Sequence, residues 1–286
     1  MAFLHQFLEG LRRAPACLVT IESTQGSAPR EVGAWMAVFE DQVLGTIGGG
    51  HVEFDAMAHA RSRLPGPQPL ASETLRYALG PSLGQCCGGV MHLRFENLSV
   101  QDAELASLQK RLSPTLQPLA LFGGGHVGHA LVQVLSPLPF AITWIDSRDG
   151  IFPNPAPESV VCEHSEPVHG AVAQLASGSS VLIMSFSHAE DLDVVAACLT
   201  RQRAAADLAF IGLIGSATKW ATFRSRLRRR GFSDDELQQV TCPIGVPGIL
   251  GKQPEVIAVA VAAQLLQQLN AGFEGCLLYT SDAADE

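Results

Sequence analysis

Charge is scarce in this sequence. Charged residues fill 16% of the 286 positions, against about 25% in an ordinary globular domain. The basic share is the smaller one, 19 Lys and Arg against 28 Asp and Glu, for a net charge of −9. A duplex nucleic-acid binder normally carries a basic face, so that role is not expected. Missing too is an uninterrupted apolar run of the ~18–20 residues a membrane span needs; the longest candidate, Val256 to Ala263, is broken by Gln264. No secretory leader is legible. Leu4, Phe7, Leu8 and Leu11 are spaced as on one helical face, and the basic pair Arg12–Arg13 follows them instead of preceding them. A cytoplasmic protein with no membrane and no nucleic-acid partner is expected. A disulfide framework is a poor reading as well, because the seven cysteines are odd in number and spread over a long chain. Most of them read as small buried hydrophobes. What is plentiful is apolar character: 47% of the residues are hydrophobic, enough for a sizeable core and too much for a disordered chain.

The length suits one or two domains, and the pattern changes once. A stretch with charges and two prolines, residues 108–117, reads as a linker between a first domain (1–107) and a second (118–274). In the first, a helix over 2–13, strands over 16–22, 34–39, 43–47, 74–78 and 90–96, and a helix from Gly50 toward Arg63 predict a small α+β domain. In the second, continuous apolar strands alternate with helices: strands at 118–122, 140–145, 179–185 and 208–213, helices at 126–135, 189–200, 216–230 and 256–269. That alternation predicts an α/β, Rossmann-like, doubly wound parallel sheet. Residues 275–286 have no periodicity and read as a cloning or sequencing-adapter scar following a helix that ends near Gly272.

Gly123, Gly125 and Gly128 form a G-x-G-x-x-G fingerprint directly after a predicted strand and at the opening of a helix. In such a turn Gly123 makes the bend, Gly125 lets a pyrophosphate approach, and Gly128 lets helix and strand pack closely. Asp146, at the end of the next strand, is placed to accept hydrogen bonds from a ribose. A dinucleotide site and a fold retained without its nucleotide are both consistent with this. Ser185, Ser187, His188, Gly215, Ser216 and Lys219 fall at the ends of later strands, where a doubly wound sheet gathers its ligand contacts. His188 reads as a helix cap or a general acid/base, the cap being the plainer reading. Lys219 reads as a phosphate ligand or a solvated helix residue.

In the first half, Arg30 sits beside a small-residue turn and suits an anion. Gly48, Gly49, Gly50 and His51 open a helix and suit an anion nest; Glu53 reads as catalytic or as a first-turn helix charge. The sharpest feature is Cys86–Cys87 between glycines. Vicinal cysteines make a strained disulfide, and no second Cys-x-x-Cys or spaced His supports zinc. A thiolate acting as nucleophile, sulfur carrier or soft-metal ligand remains, beside the reading that one thiol is buried and the other incidental.

Taken together, Thr24–Arg30, Gly45–Glu53, Leu83–Val90, Phe122–Gly128, Ser185–Asp191, Phe210–Ser216 and Cys242–Gly245 resemble the XdhC/CoxI family of xanthine dehydrogenase accessory proteins. The seven segments keep their order and span both halves. The broad family has a single Cys before Gly-Gly, matching Cys87; the doubled form resembles the branch serving xanthine dehydrogenase. The resemblance implies an accessory protein more than a turnover enzyme. It implies a chaperone that binds the molybdenum cofactor (molybdopterin), supports its sulfuration by a cysteine desulfurase, and passes it to the molybdenum subunit of xanthine dehydrogenase. It also implies a homodimer. Cys86 and Cys87 would carry the chemistry, with Cys87 as the metal ligand, and Arg30 with Gly48–Gly50 and His51 would hold the pterin phosphate. The alternative is an NAD(P)-dependent oxidoreductase using Gly123, Gly125, Gly128, Asp146 and His188.

Overall fold

The computed structural model describes residues 2–64, 71–79, 89–99, 102–157 and 159–277. The chain divides into two units, Met1–Pro114 and Thr115–Glu286.

Unit 1 is built on a five-stranded antiparallel sheet in the order β3-β2-β1-β5-β4. Its elements are α1 (Ala2–Leu11), β1 (Ala16–Gln25), β2 (Trp35–Val38), β3 (Val43–Gly45), α2 (Gly50–Arg63), β4 (Glu73–Ala78), β5 (Val90–Leu98) and α3 (Asp102–Leu112). The central strand β1 is apolar on both sides because both faces are covered. Cys17, Val19 and Ile21 pack with Val52, Ala56 and Ala60 of α2. Ala16 and Leu18 pack on the other face with Leu4, Phe7 and Leu11 of α1 and Leu105 and Leu108 of α3.

That second face corrects the expected linker. Residues 108–112 are the last turns of α3, not a connection. Leu105, Leu108 and Leu112 recur at helical spacing and pack on the α1 cluster. The divide falls after Pro114.

Unit 2 runs β6 (Gln117–Phe122), α4 (His126–Leu135), β7 (Phe140–Asp146), β8 (Val160–His164), a 3-10 turn (Val168–Gln174), β9 (Ser180–Ile183), α5 (His188–Ala205), β10 (Phe210–Leu213), α6 (Ala217–Arg229), α7 (Asp234–Gln238), β11 (Val240–Thr241) and α8 (Pro254–Leu277). All pairings are parallel, in the order β11-β10-β9-β6-β7-β8. Counted from the first strand of the unit, this is the Rossmann order 3-2-1-4-5-6 read from one edge, and it reverses direction between β6 and β9. Alternate residues of β6 feed the two cores. Ala120 and Phe122 face α5 and α6, while Leu119 and Leu121 face α4 and α8.

Four elements here were not expected: β8, the 3-10 turn, α7 and β11. The last helix also runs further than expected, through Gly272 to Leu277, because each residue added to an established helix costs little. The expected tail from 275 therefore begins inside α8, and residues 278–286 lie outside the described residues. Among the described residues no helix is long and apolar enough to cross a membrane.

Candidate functional sites

The crevice at the strand ends of unit 2 is shaped by close backbone packing. Gly123 has φ +124°, and a Cβ there would fall on the Met184 carbonyl at the end of β9. A Cβ on Gly128 would fall on the Gly123 carbonyl oxygen, which also accepts the indole N–H of buried Trp144 at 2.9 Å. These two glycines are structural necessities of the turn. Gly125 is different: nothing lies within 4 Å of the space a Cβ would take, and as N-cap of α4 it supplies no side-chain cap. The first amides of α4 are left for something else.

Asp146 lies at the end of β7, and only 1% of it is exposed. Its Oδ2 accepts the Gly124 N–H at 2.6 Å and Arg148 Nη2 at 2.8 Å. Its Oδ1 accepts the Arg148 backbone N–H at 2.9 Å and Nε at 2.8 Å. A carboxylate has about four acceptor positions, and all are taken. Burial works against the charge, but the bonds from Arg148 and Gly124 outweigh it and hold the pKa below the usual value. The expected ribose contact at Asp146 is thereby corrected: the carboxylate is spent on fastening the glycine turn to the end of β7.

A second buried carboxylate, Asp191, does the same across the switch. Its Oδ1 accepts the Ser185 N–H at 2.7 Å and its Oδ2 accepts Lys219 Nζ at 2.6 Å. Lys219 also donates to the Ile214 carbonyl at 2.8 Å. Lys219 is thus neither a free phosphate ligand nor a solvated residue; it ties the end of β9 to that of β10. The aliphatic stem of Lys219 and Cys242 Sγ pack around Gly215, and burial pushes the Cys242 thiol up to about 11. The cap of α5 is Ser187, in a capping box with Glu190, so His188 is not the cap; it lies exposed at the first helical position. Asp191 and Arg148 escaped the sequence reading, although an Arg two residues after a strand-end acid is a legible signal for a fork.

In unit 1 the segments singled out by sequence meet. A Cβ on Gly48 would sit 2.6 Å from the Pro29 ring and 3.4 Å from Arg30 Cγ. A Cβ on Gly89 would strike the Gln25 and Ser27 carbonyls. The Leu79 N–H donates to the Gly89 carbonyl at 2.7 Å, joining β4 and β5 at their ends. Cys86 and Cys87 lie outside the described residues.

Gly48, Gly49 and Gly50 all take positive φ, as a nest requires. The nest is filled from within, however. Glu53 Oε2 accepts Thr46 Oγ1 at 2.5 Å and the N–H groups of Ile47 and Gly49 at 2.9 and 3.0 Å. Thr46 Oγ1 accepts the Gly48 N–H at 3.1 Å. The expected phosphate cradle is corrected at Gly48 and Gly49, whose amides are already satisfied. Burial disfavours the Glu53 charge, but these bonds win and lower its pKa. Arg30 is half-buried and forks onto Glu31 at 2.9 and 3.2 Å. His51 is exposed, with Asp55 Oδ2 3.4 Å from Nε2. Among the described residues no three His, Cys, Asp or Glu side chains are grouped to hold a metal ion.

Comparison with known proteins places this geometry in context. One family model, the XdhC Rossmann domain, matches residues 119–265. Another, the XdhC and CoxI family, matches residues 11–78. The uncharacterized protein YqeB of Escherichia coli (strain K12) is 25% identical over 272 residues, which cover 94% of this chain and 46% of that protein. The chain therefore spans about half the length of the curated relative it matches. The crystal structure of a xanthine dehydrogenase from Bacillus halodurans shares the fold, with a TM-score of 0.76 at 20% identity over 100% of this chain and 98% of that one.

Proposed function

Because the chain belongs to the XdhC and CoxI family, we propose that it is a maturation chaperone of xanthine dehydrogenase. In this reading it binds the molybdenum cofactor, supports sulfuration with sulfur from a cysteine desulfurase, and passes the product to the molybdenum subunit of the enzyme. It works in the cytoplasm and as a homodimer.

The observation that carries the reading is the convergence in unit 1. Pro29 and Arg30 pack on Gly48, and Gln25 and Ser27 pack on Gly89, two positions after Cys87. Three segments distant in sequence supply one small region with an arginine, a histidine and the flank of a dithiol.

The residues fit the cofactor in part. Arg30 and His51 suit its anionic end: Arg30 has Glu31 as its ion-pair partner and 40% of its side chain is exposed. The Gly48 and Gly49 amides do not fit, since Glu53 and Thr46 occupy them. Cys86 and Cys87 are the soft donors of the proposal. When bound, the cofactor supplies a soft metal centre that takes up sulfur. The chain's own part is to hold: a guanidinium fork for phosphate, and thiols close to the metal.

The test is anaerobic mixing of the purified chain with molybdenum cofactor, followed by gel filtration with metal and pterin quantified in the protein peak. Activation of cofactor-free xanthine dehydrogenase is the second readout. Cys87→Ala is expected to weaken retention by at least about tenfold, and Arg30→Ala by a similar factor. A Cys86→Ala/Cys87→Ala double variant that retains cofactor and activates the enzyme like the parent ends the proposal.

A further inference from the structure

Strand β8 closes one edge of the six-stranded sheet and pairs only with β7. The crossover that leaves it carries just the 3-10 turn Val168–Gln174, where parallel strands are ordinarily bridged by a helix. The face of β7 and β8 on that side is left partly bare. Val161 is 65% exposed, in a class of sheet whose strands are normally covered on both faces. Beside it lies a cavity of about 290 Å³ whose lining includes Ala120, Thr143, Val161, Glu163 and Leu175. Ala120 is buried and forms part of its apolar floor. Glu163 has no cationic partner among the described residues; the neighbouring His164 is turned to Asp149 and the Ser147 carbonyl instead.

The backbone at this edge is unspent. Asp146 is paired with His164 in register, and the Ser165 N–H donates to the Asp146 carbonyl at 3.1 Å. In a parallel ladder alternate residues bond to one neighbour, so Val161, Glu163 and Ser165 aim their peptide groups inward at β7. Cys162 and His164 aim theirs outward, to no partner among the described residues. Such an edge is a template for another strand.

From this we propose that β8 is a docking edge for an extended segment of a partner protein. The segment adds to the sheet as a further strand and presents two side chains on one face, two residues apart: an aliphatic one to the cavity and a lysine or arginine to Glu163. Main-chain bonds to Cys162 and His164 supply affinity, and the cavity with its acid supplies selectivity. A second copy pairing edge to edge fits less well, since its β8 would bring another Glu163 to that face in place of a cation. The inference goes beyond the chaperone reading and rests on unit 2 alone, without Cys86, Cys87 or Arg30.

The test is an NMR titration of the full chain with the capped peptide Thr-Leu-Thr-Lys-Thr, with amide hydrogen exchange as the readout. Binding is expected to slow exchange at Cys162 and His164 and to leave Glu163, already bonded to β7, unchanged. Thr-Leu-Thr-Glu-Thr is expected to bind at least about threefold more weakly, the scale of a cross-strand charge pair. Thr-Ser-Thr-Lys-Thr, which has nothing for the cavity, is expected to bind at least about tenfold more weakly. Glu163→Gln is expected to erase the preference for lysine over glutamate. The proposal is overturned if no peptide binds, if binding leaves exchange at Cys162 and His164 unchanged, or if Glu163→Gln keeps the preference. It is overturned as well if those two amides are protected in the free chain in a concentration-dependent way, because a second copy then holds the edge. None of these outcomes touches cofactor transfer, so failure here and failure of the chaperone reading are distinguishable.

Discussion

The Gly49 N–H donates to the Glu53 carboxylate at 3.0 Å, so the glycine turn before α2 carries its own anion. Replacing Glu53 by Gln keeps one acceptor oxygen but removes the charge that three donors address. A loss of about 1–3 kcal/mol in unfolding free energy is expected, measured by urea titration. An unchanged midpoint would show the turn to be held by its glycines alone.

Gly125 and Gly128 sit three residues apart and differ completely in what surrounds them. Gly125→Ala meets open space at an ordinary φ of −77° and is expected to leave thermal stability within about 0.5 kcal/mol of the parent. Gly128→Ala drives a methyl into the Gly123 carbonyl and is expected to cost at least about 2 kcal/mol. Equal melting temperatures for the two variants would contradict this packing.

Lys219→Met leaves Asp191 buried without its cation, and a loss of about 3–5 kcal/mol is expected. Lys219→Met with Asp191→Asn restores part of it, since the amide oxygen still accepts the Ser185 N–H. A double-mutant cycle by chemical denaturation gives the coupling between the two side chains directly.

Acid should unfold the chain through the same buried bonds. Glu53 and Asp146 both have pKa values lowered in the folded state. Such groups contribute stability above the unfolded value near pH 4, and lose it as pH falls through the folded one. Unfolding free energy is therefore expected to be flat from neutrality to about pH 5 and to decline below about pH 4. Asp146→Asn should start lower and fall less steeply.

Thiol reactivity is expected to be graded. Burial raises Cys198 to about 12, and Cys17 and Cys242 to about 11. At pH 7.5 the thiolate fraction of each is far below that of a free cysteine. A chromogenic disulfide reagent with peptide mapping should leave these three unlabelled until denaturant is added; rapid native labelling of Cys198 would contradict its burial.

The parts of the fold legible in sequence are those with a strong period. The α4 segment, with Ala130, Leu131 and Leu135 on one face after a glycine turn, fell at the residues predicted. Helix α3 did not show, because Glu104, Lys110, Arg111 and the nearby prolines drown a stripe of three leucines. Strand β8 is an edge strand with Cys162, Glu163 and His164 in five residues, too polar for a pattern built on buried strands. Its absence from the sequence reading hid a complete Rossmann half. The capping box of α7, Ser233 with Glu236, was there to be read. At the sites, sequence gave residue types but not their allegiance. Asp146 and Glu53 look like groups waiting for a ligand, and each is instead bonded to its own backbone, which only three-dimensional accounting of donors and acceptors reveals.

The seam between β6 and β9 joins Leu119 to Ser180, and everything between them must be synthesised before it can close. On a ribosome adding about 5–20 residues per second, β6 waits roughly 3–12 s with one edge bare. During that interval β6, β7 and β8 form only half of the sheet, with apolar faces uncovered. A nascent chain stalled before Ile183 would therefore be a ready substrate for trigger-type chaperones or for clumping, although the finished unit offers no such edge at its centre. The vulnerability belongs to the timing of synthesis, and slow codons placed between 123 and 180 would lengthen it without altering a single contact in the folded protein.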